Sequence, residues 1–396
     1  MTNHRDRSVQ LLVVGAGPVG LFAGLCAARE GLEVELLEQT SRGFGRGYAT
    51  LLHPSSVRLL DEAGVMKGLR NVGREVHGVG IQVDGAPRIH LDLPSPAFTV
   101  PQSALEEALL TALRAAHVKV SSPCEATTIQ QDAAKVKLRV VRKELVTLGS
   151  PGHYSEWEPV DSSLVTADYV IGADGYDSRV RTALGIDTAT IGPTETFAMF
   201  ETPAHAETSA EVEIGFASEL ATAVVPLTNS RARLGFQLAS GLDREPDAER
   251  LHQLMTERAP WFHDGMHRVD WSSVIHFERR LARRFGSGRV WLAGDAAHVT
   301  SPFGAQSVNI GLSEAQDCVQ RIAACLRGHT LPAALGEYGT VREREWHKLL
   351  GVNAKFDLLP HAPAWLAARA RQITPTLPAS GGDLRSLLRQ LGMTVT

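Results

Sequence analysis

Gly15-Ala16-Gly17-Pro18-Val19-Gly20 constrains this chain more than any other stretch. The six residues follow a short apolar run, Val9–Val14, and precede a segment at helical spacing, Leu21–Arg29. A second strand pattern, Glu33–Glu38, completes a βαβ unit. In G-x-G-x-x-G the first glycine permits the tight turn. The second admits a pyrophosphate to the backbone, and the third lets helix and strand pack closely. Pro18 and Val19 open the helix, whose N-terminus offers unpaired N–H groups to phosphate. Glu38 stands twenty-three residues after Gly15, where a carboxylate can accept from ribose hydroxyls. The motif in this context predicts dinucleotide binding; the alternative is a glycine-rich turn that binds nothing.

The same stretch admits a second reading. Leu11–Ala28 carries no charge and follows Arg5 and Arg7, as in a signal peptide or short span. Glycines interrupt it, and it divides into a strand half and a helix half, so neither is expected. Forty basic against forty-four acidic residues give a net charge of −4, which argues against a nucleic-acid partner. With 43% hydrophobic and 21% charged residues, disorder and coiled coil are excluded. Cys26, Cys124, Cys318 and Cys325 form no C-x-x-C pair. A zinc site is therefore not expected, and a reducing, cytoplasmic setting is.

Farther along, Ser55–Ala63 and Leu105–Ala116 read as helices, the latter with Ser103 as N-cap. Val136–Val141 reads as a strand, and Leu145–Pro159 as a hairpin loop or surface excursion. From Thr196 to Ala239 the apolar period becomes two, which indicates half-buried strands. Asp247–Glu257 and Pro260–His263 suggest helix, Arg289–Ala293 a buried strand, and Gly311–Leu326 a long helix. Leu335–Leu350 and Leu366–Leu391 suggest a helical C-terminus.

Two later segments choose between dinucleotides. Asp168–Arg181 (DYVIGADGYDSRVR) resembles the Asp-Gly motif of flavoprotein monooxygenases, and Val290–Asn309 (VWLAGDAAHVTSPFGAQSVN) resembles their Gly-Asp motif. With the glycine motif they stand in family order, over residues 8 to 350. The chain thus resembles the single-component aromatic hydroxylases related to para-hydroxybenzoate hydroxylase. The resemblance implies an α/β fold: a Rossmann-like FAD-binding domain of the GR2 type, interleaved with a β-sheet substrate domain, plus a helical C-terminus. The expected boundaries are 1–75, 101–190 and 276–350 for FAD, 76–100 and 191–275 for substrate, and 351–396 for the C-terminal segment.

Site residues follow from the same resemblance. Arg46 matches a flavin-contacting arginine and Gln102 a glutamine on the ribityl chain; the plainer readings are a solvated loop charge and a polar residue near a helix start. Asp174 falls where the family meets pyrophosphate; alone it reads as an Asp-Gly turn. Asp295 has an independent physical case. It follows the apolar VWLAG and precedes two alanines, so it is expected to be buried and to need donors. The loop holding Pro302, Gly304, Ala305, Ser307, Val308 and Asn309 is expected beneath the isoalloxazine, favouring negative charge there. The family usually has glycine at Ser307 and Asp-Ala where Glu314-Ala315 stands. His298 belongs to the motif and is expected to be structural, not an acid or base.

The implied activity is hydroxylation of a small aromatic substrate. NADPH or NADH reduces FAD, O2 forms a C4a-hydroperoxide, and its distal oxygen attacks an electron-rich ring carbon. No second glycine fingerprint is present, so nicotinamide is expected to bind transiently, and no catalytic base is assigned. Phe200, Val212, Ile214, Phe216, Val224 and Phe236, with Pro302, are candidate substrate-lining residues; alternation buries one face of each strand without saying what covers it. A monomer or homodimer is expected. A flavin-dependent halogenase is the first alternative, but its Trp-x-Trp signature is missing. A flavoprotein reductase acting on prenyl double bonds and a non-catalytic FAD-binding regulator are the others.

Overall fold

Alternating apolar strands and amphipathic helices build two large sheets that share one buried interior. The structure is a computed structural model, and it describes residues 7–40, 49–148, 154–204, 210–239, 246–262, 268–352 and 354–396.

The first sheet has a parallel centre. Val290–Leu292, Tyr154–Gly172, Arg7–Val14, Val34–Leu37 and Lys119–Ser121 run side by side in that order. Leu11, Leu12 and Val13 are fully buried, as a parallel strand covered on both faces requires. The helix Pro18–Arg29 packs against Gln102–Ala115 and against the long helix Gln306–Leu326.

The second sheet is antiparallel except for one pair. Its order is Trp271–Phe277, Glu195–Pro203, Arg231–Leu238, Leu220–Leu227, Glu211–Ala217, Arg74–Val83, Ile89–Pro101 and Ala49–Leu52. Glu211–Ala217 runs parallel to Arg74–Val83, with Ile214 opposite Ile81. The last strand, Ala49–Leu52, comes from the segment expected in the FAD-binding part, yet it pairs with Ile89–Pro101 at the edge of the second sheet.

Period-two alternation gives this sheet two different faces. Met199, Gly235, Ala223 and Ile214 align across four strands, and Met199, Ala223 and Ile214 join the main core. Their neighbours Phe200, Leu234 and Val224 turn the other way, into a second cluster with Phe236. Leu251 and Leu254 of the helix Ala248–Arg258 close that cluster. Asp247 starts this helix by accepting the Arg250 N–H at 2.8 Å.

Several local expectations change. Ser103 does not cap its helix, which begins at Gln102 after Pro101; proline has no N–H to leave unpaired at a helix start. Leu145–Pro159 belongs to a hairpin, the first of its two expected readings, but the strands reach further into it than expected: Val136–Leu148 and Tyr154–Gly172 pair antiparallel as far as Leu148 and Tyr154. Pro159 is held within the second strand, opposite Lys143. Pro260 and Trp261 form a turn and Phe262 follows it; His263 lies outside the described residues. The C-terminal segment divides into Leu366–Ile373, the 3-10 turn Thr374–Thr376 and Gly381–Leu391, because Pro375, Pro378 and two glycines interrupt the helical pattern. A short antiparallel pair, Phe356–Leu358 with Met393–Val395, ties the two ends of this segment together.

Candidate functional site

The carboxyl ends of the central parallel strands open into a cavity of about 210 Å³. Gly15, Gly17, Glu38 and Asp174 all line it. Gly15 adopts φ +101°, and a Cβ there would lie 2.2 Å from the Ala173 carbonyl oxygen. A Cβ on Gly20 would lie 2.1 Å from the Gly15 oxygen, whereas one on Gly17 would meet nothing within 4 Å. The first and third glycines are thus demanded by packing. The second leaves room over the helix N-terminus, where Gly17 is the N-cap and Pro18 the first helical residue. Val19 does not line the cavity. It packs against the backbone at Gly294 and Gly311, locking the first helix to the later motif.

Glu38 takes the Ala16 N–H at 2.9 Å on one oxygen, and the Thr40 N–H and hydroxyl on the other. Asp174 accepts the N–H groups of Arg179 and Val180 at 2.8 and 3.1 Å and the Ser178 hydroxyl. Burial raises its pKa against the pull of those donors. Arg181 reaches from this segment to the Ala296 carbonyl at 2.8 Å, joining the two later motifs. Cys124, Glu125 and Arg179 also line the cavity. Sequence reasoning missed Cys124 and Glu125, because their strand, Cys124–Gln131, carries no motif.

Asp295 is accessible at its surface although protein surrounds it on most sides, and no described residue gives it a hydrogen bond. The protein mass around it still pushes its pKa up, with His298 pulling it down and Glu314 adding to the rise. It sits in the 3-10 turn Gly294–Ala296 just beyond its strand. The residue that is buried there is Glu314. It accepts from the Gly294 N–H at 2.9 Å and the Trp346 indole at 2.8 Å, and it meets the His298 ring at 2.8 Å. Burial raises the Glu314 pKa, but His298 and the two donors outweigh it and hold the pKa below its usual value. His298 stacks on Trp346 at 3.8 Å.

The loop from Pro302 to Asn309 has a forced shape. Gly304 and Ala305 both take left-handed backbone, φ +78° and +50°. A Cβ on Gly304 would lie 2.3 Å from the Pro375 oxygen. Ala305 then caps the helix Gln306–Leu326 with no side-chain acceptor, leaving its first N–H groups available. Asn309 is turned inward. It accepts the His53 N–H at 2.7 Å and donates to the carbonyls of Leu51 and Ala305. His53, unremarked in the sequence, contacts the Gly304 oxygen at 2.6 Å. Ser307 Oγ is buried without a partner among the described residues. Pro302 and Val308 are half-buried.

Gln102 turns its amide to Glu106 at 2.9 Å. Arg46 lies outside the described residues. Of the proposed substrate-lining residues, Val212, Ile214 and Phe216 belong to the main core. Phe200, Val224 and Phe236 face the second cluster under the helix Ala248–Arg258, because their register places them on the opposite side of the sheet. The loop meets the sheet at residues the sequence reading did not select. Phe303 packs edge-on against Phe197 at 4.8 Å and lies over Gly235.

The cradle accommodates an FAD. A Cβ-free approach exists at Gly17, an unpartnered carboxylate stands at Asp295, and an uncapped helix N-terminus follows Ala305. Comparison with known proteins agrees. The family described as FAD binding domain matches residues 8–350. A 12-dehydrotetracycline 5-monooxygenase/anhydrotetracycline 6-monooxygenase of Streptomyces rimosus is 28% identical over 352 residues, covering 84% of this chain and 66% of the relative. The chain thus spans about two thirds of that relative's length. A dialkyldecalin synthase of Streptomyces rugosporus is 27% identical over 394 residues, covering 96% of this chain and 76% of the relative. The solved p-nitrophenol 4-monooxygenase of Pseudomonas putida shares the fold at TM-score 0.72 and 19% identity, with 98% of this chain and 97% of that chain covered.

Proposed function

This chain belongs to the FAD-binding family of flavoprotein aromatic hydroxylases, and from that membership we propose that it is an FAD-dependent monooxygenase that consumes NADPH or NADH and hydroxylates an aromatic substrate, phenolic or fused-ring. The observation that carries the reading is the meeting of two parts at Phe303. The loop at the N-terminus of the long helix lies directly against the apolar face of the substrate sheet. A ring held on that face is therefore next to the loop.

When bound, FAD supplies the redox chemistry, accepting electrons from the nicotinamide and delivering them to O2. The residues of this chain do the rest. Gly17 and the N-terminus of Pro18–Arg29 admit the pyrophosphate. Glu38 exchanges part of its backbone hydrogen bonding for ribose hydroxyls. Asp295 accepts from the ribityl chain, with Gln102 as a second polar group. The free N–H groups after Ala305 favour negative charge on the flavin ring. Phe197, Met199, Ile214 and Phe303 exclude water and orient the substrate ring. Asp174 holds its own turn and, beside Gly15 and Gly17, lines the cavity that would take the pyrophosphate.

Purified protein should show a flavin absorption spectrum, or acquire one with FAD. NADPH or NADH oxidation is then followed against phenols and fused-ring aromatics, with product mass. Gain of one oxygen atom supports the reading. A second reading rests on the similarity to a relative named a synthase: the flavin is held but the substrate is converted without oxygen. Product of unchanged mass would favour it. A protein that cannot be loaded with FAD would overturn both.

A further inference from the structure

A second, larger cavity lies on the far flank of the helix Gln306–Leu326, away from the glycine motif. It measures about 410 Å³ and is bounded by the helices Pro54–Glu62, Leu335–Leu349 and Gly381–Leu391. No part of the proposed flavin chemistry uses it. Its size falls in the range of small-molecule sites between helices.

The lining combines an apolar wall with surplus positive charge. Leu59, Ile310, Leu384 and Leu388 supply the wall. Four cationic residues, Arg58, Arg342, Lys348 and Arg385, face two acidic ones, Glu62 and Glu345. The cations are not equally committed. Arg58 pairs with Asp383 at 2.8 Å, and Arg342 pairs with Asp317 and Glu345 at 3.2 and 2.8 Å. Lys348 and Arg385 form no ion pair among the described residues and are exposed.

Buried polar groups are also left over here. Gln306, fully buried, gives its amide N–H groups to the carbonyls of Leu377 and Ala379, while its oxygen receives no donor. Arg342 Nε is likewise buried without an acceptor. Ser380 and Gly381 bring an uncapped helix N-terminus to the same wall.

We propose that this cavity is a second ligand site, taking an amphipathic organic monoanion with an aromatic body of about two rings. The apolar wall holds the body, and Lys348 and Arg385 hold the acid group. The proposal does not depend on the flavin reading.

The test uses FAD-loaded protein and 2-naphthoate, titrated by calorimetry, with neutral 2-naphthamide as comparison. The acid is expected to bind about tenfold more tightly than the amide, the scale of two partly exposed charge contacts. The double variant Lys348→Glu/Arg385→Glu should remove that preference and leave amide binding intact. Ser313→Trp, at an exposed position of the lining, should block both compounds. All these positions are exposed, so an unchanged melting temperature and flavin spectrum show that the fold persists. Equal binding of acid and amide, or a preference that survives charge reversal, overturns the proposal. So does binding indifferent to Ser313→Trp, which would place naphthoate on the substrate sheet instead.

Discussion

The imidazole of His53 stands with Nε2 2.6 Å from the carbonyl oxygen of Gly304. A carbonyl only accepts, so Nε2 carries the proton; Nδ1 is buried without a partner. His53 therefore ties the start of the helix Pro54–Glu62 to the left-handed turn beneath the proposed flavin ring as a neutral group. Asn309 doubles the tie through the His53 backbone N–H.

The neutral ring predicts an acid-sensitive fold. Burial drives the His53 pKa from 6.5 down to about 4, with the Gly304 carbonyl pulling it up. Between those values the unfolded chain binds the proton and the folded one does not. Stability is then complete above pH 6.5 and falls as the pH drops toward 4, by about 3 kcal/mol across the window. Urea midpoints measured across this range should fall more steeply for the native protein than for His53→Gln. Parallel curves would refute the assignment.

The glycine loop allows two kinds of damage to be separated. Gly15→Ala must strike the Ala173 carbonyl and strain a positive φ, so it should cost about 1–3 kcal/mol of stability as well as FAD binding. Gly17→Ala meets no protein atom and should leave the melting temperature unchanged while weakening FAD. Glu38→Gln keeps an acceptor for the Ala16 N–H but loses charge, and should weaken FAD by about 1–2 kcal/mol. Quenching of flavin fluorescence on titration into apoprotein gives the affinities. Equal effects at Gly15 and Gly17 would show that both act through folding.

How much of this was legible follows residue type. Gly15, Gly20 and Glu38 could be read from the sequence because backbone geometry leaves few other residues for those places. The alternation of the second sheet was also readable, but not which face meets the loop. Phe200 and Met199 are neighbours in the chain and look in opposite directions, and only the pairing with Gly235 and Leu234 decides between them. Asp295 could be picked out by its apolar flank, but not that Glu314 is the acid that takes the N–H of Gly294, twenty residues before it in the chain. His53 and Asn309 meet 256 residues apart, a contact no local pattern contains.

Glu314 fills the space beneath the Gly294 turn, and its loss should be costly. Glu314→Ala strands the His298 ring, the Trp346 indole and the Gly294 N–H in a dry interior. Leaving a buried hydrogen-bonding group without its partner costs about 1–3 kcal/mol each. Glu314→Gln retains hydrogen-bonding capacity and should cost less. Denaturant titration of the two variants gives the order; a milder Ala than Gln variant would mean the carboxylate is not the organising group.

Gly235 offers the cleanest separation of substrate handling from flavin binding. It faces the loop across the sheet, and a Cβ there would lie 2.4 Å from the Phe303 ring and 3.0 Å from the Met199 sulfur. Neither neighbour is backbone, so both can yield, and Gly235→Ala should fold with a loss of about 1–3 kcal/mol, as overpacking commonly gives. The displaced Phe303 ring must move within the space between Phe197 and the loop. FAD affinity, which the proposed function assigns to the glycine motif and Asp295 and not to Gly235, should stay within about twofold, the scale of a neutral distant substitution. Substrate KM should rise, and more of the nicotinamide oxidised should end as peroxide, because a misplaced ring no longer intercepts the oxidant. The ratio of peroxide to hydroxylated product, measured beside flavin affinity, checks this. If affinity and coupling fall together, Phe303 belongs to the flavin cradle and the substrate ring must lie elsewhere on the sheet.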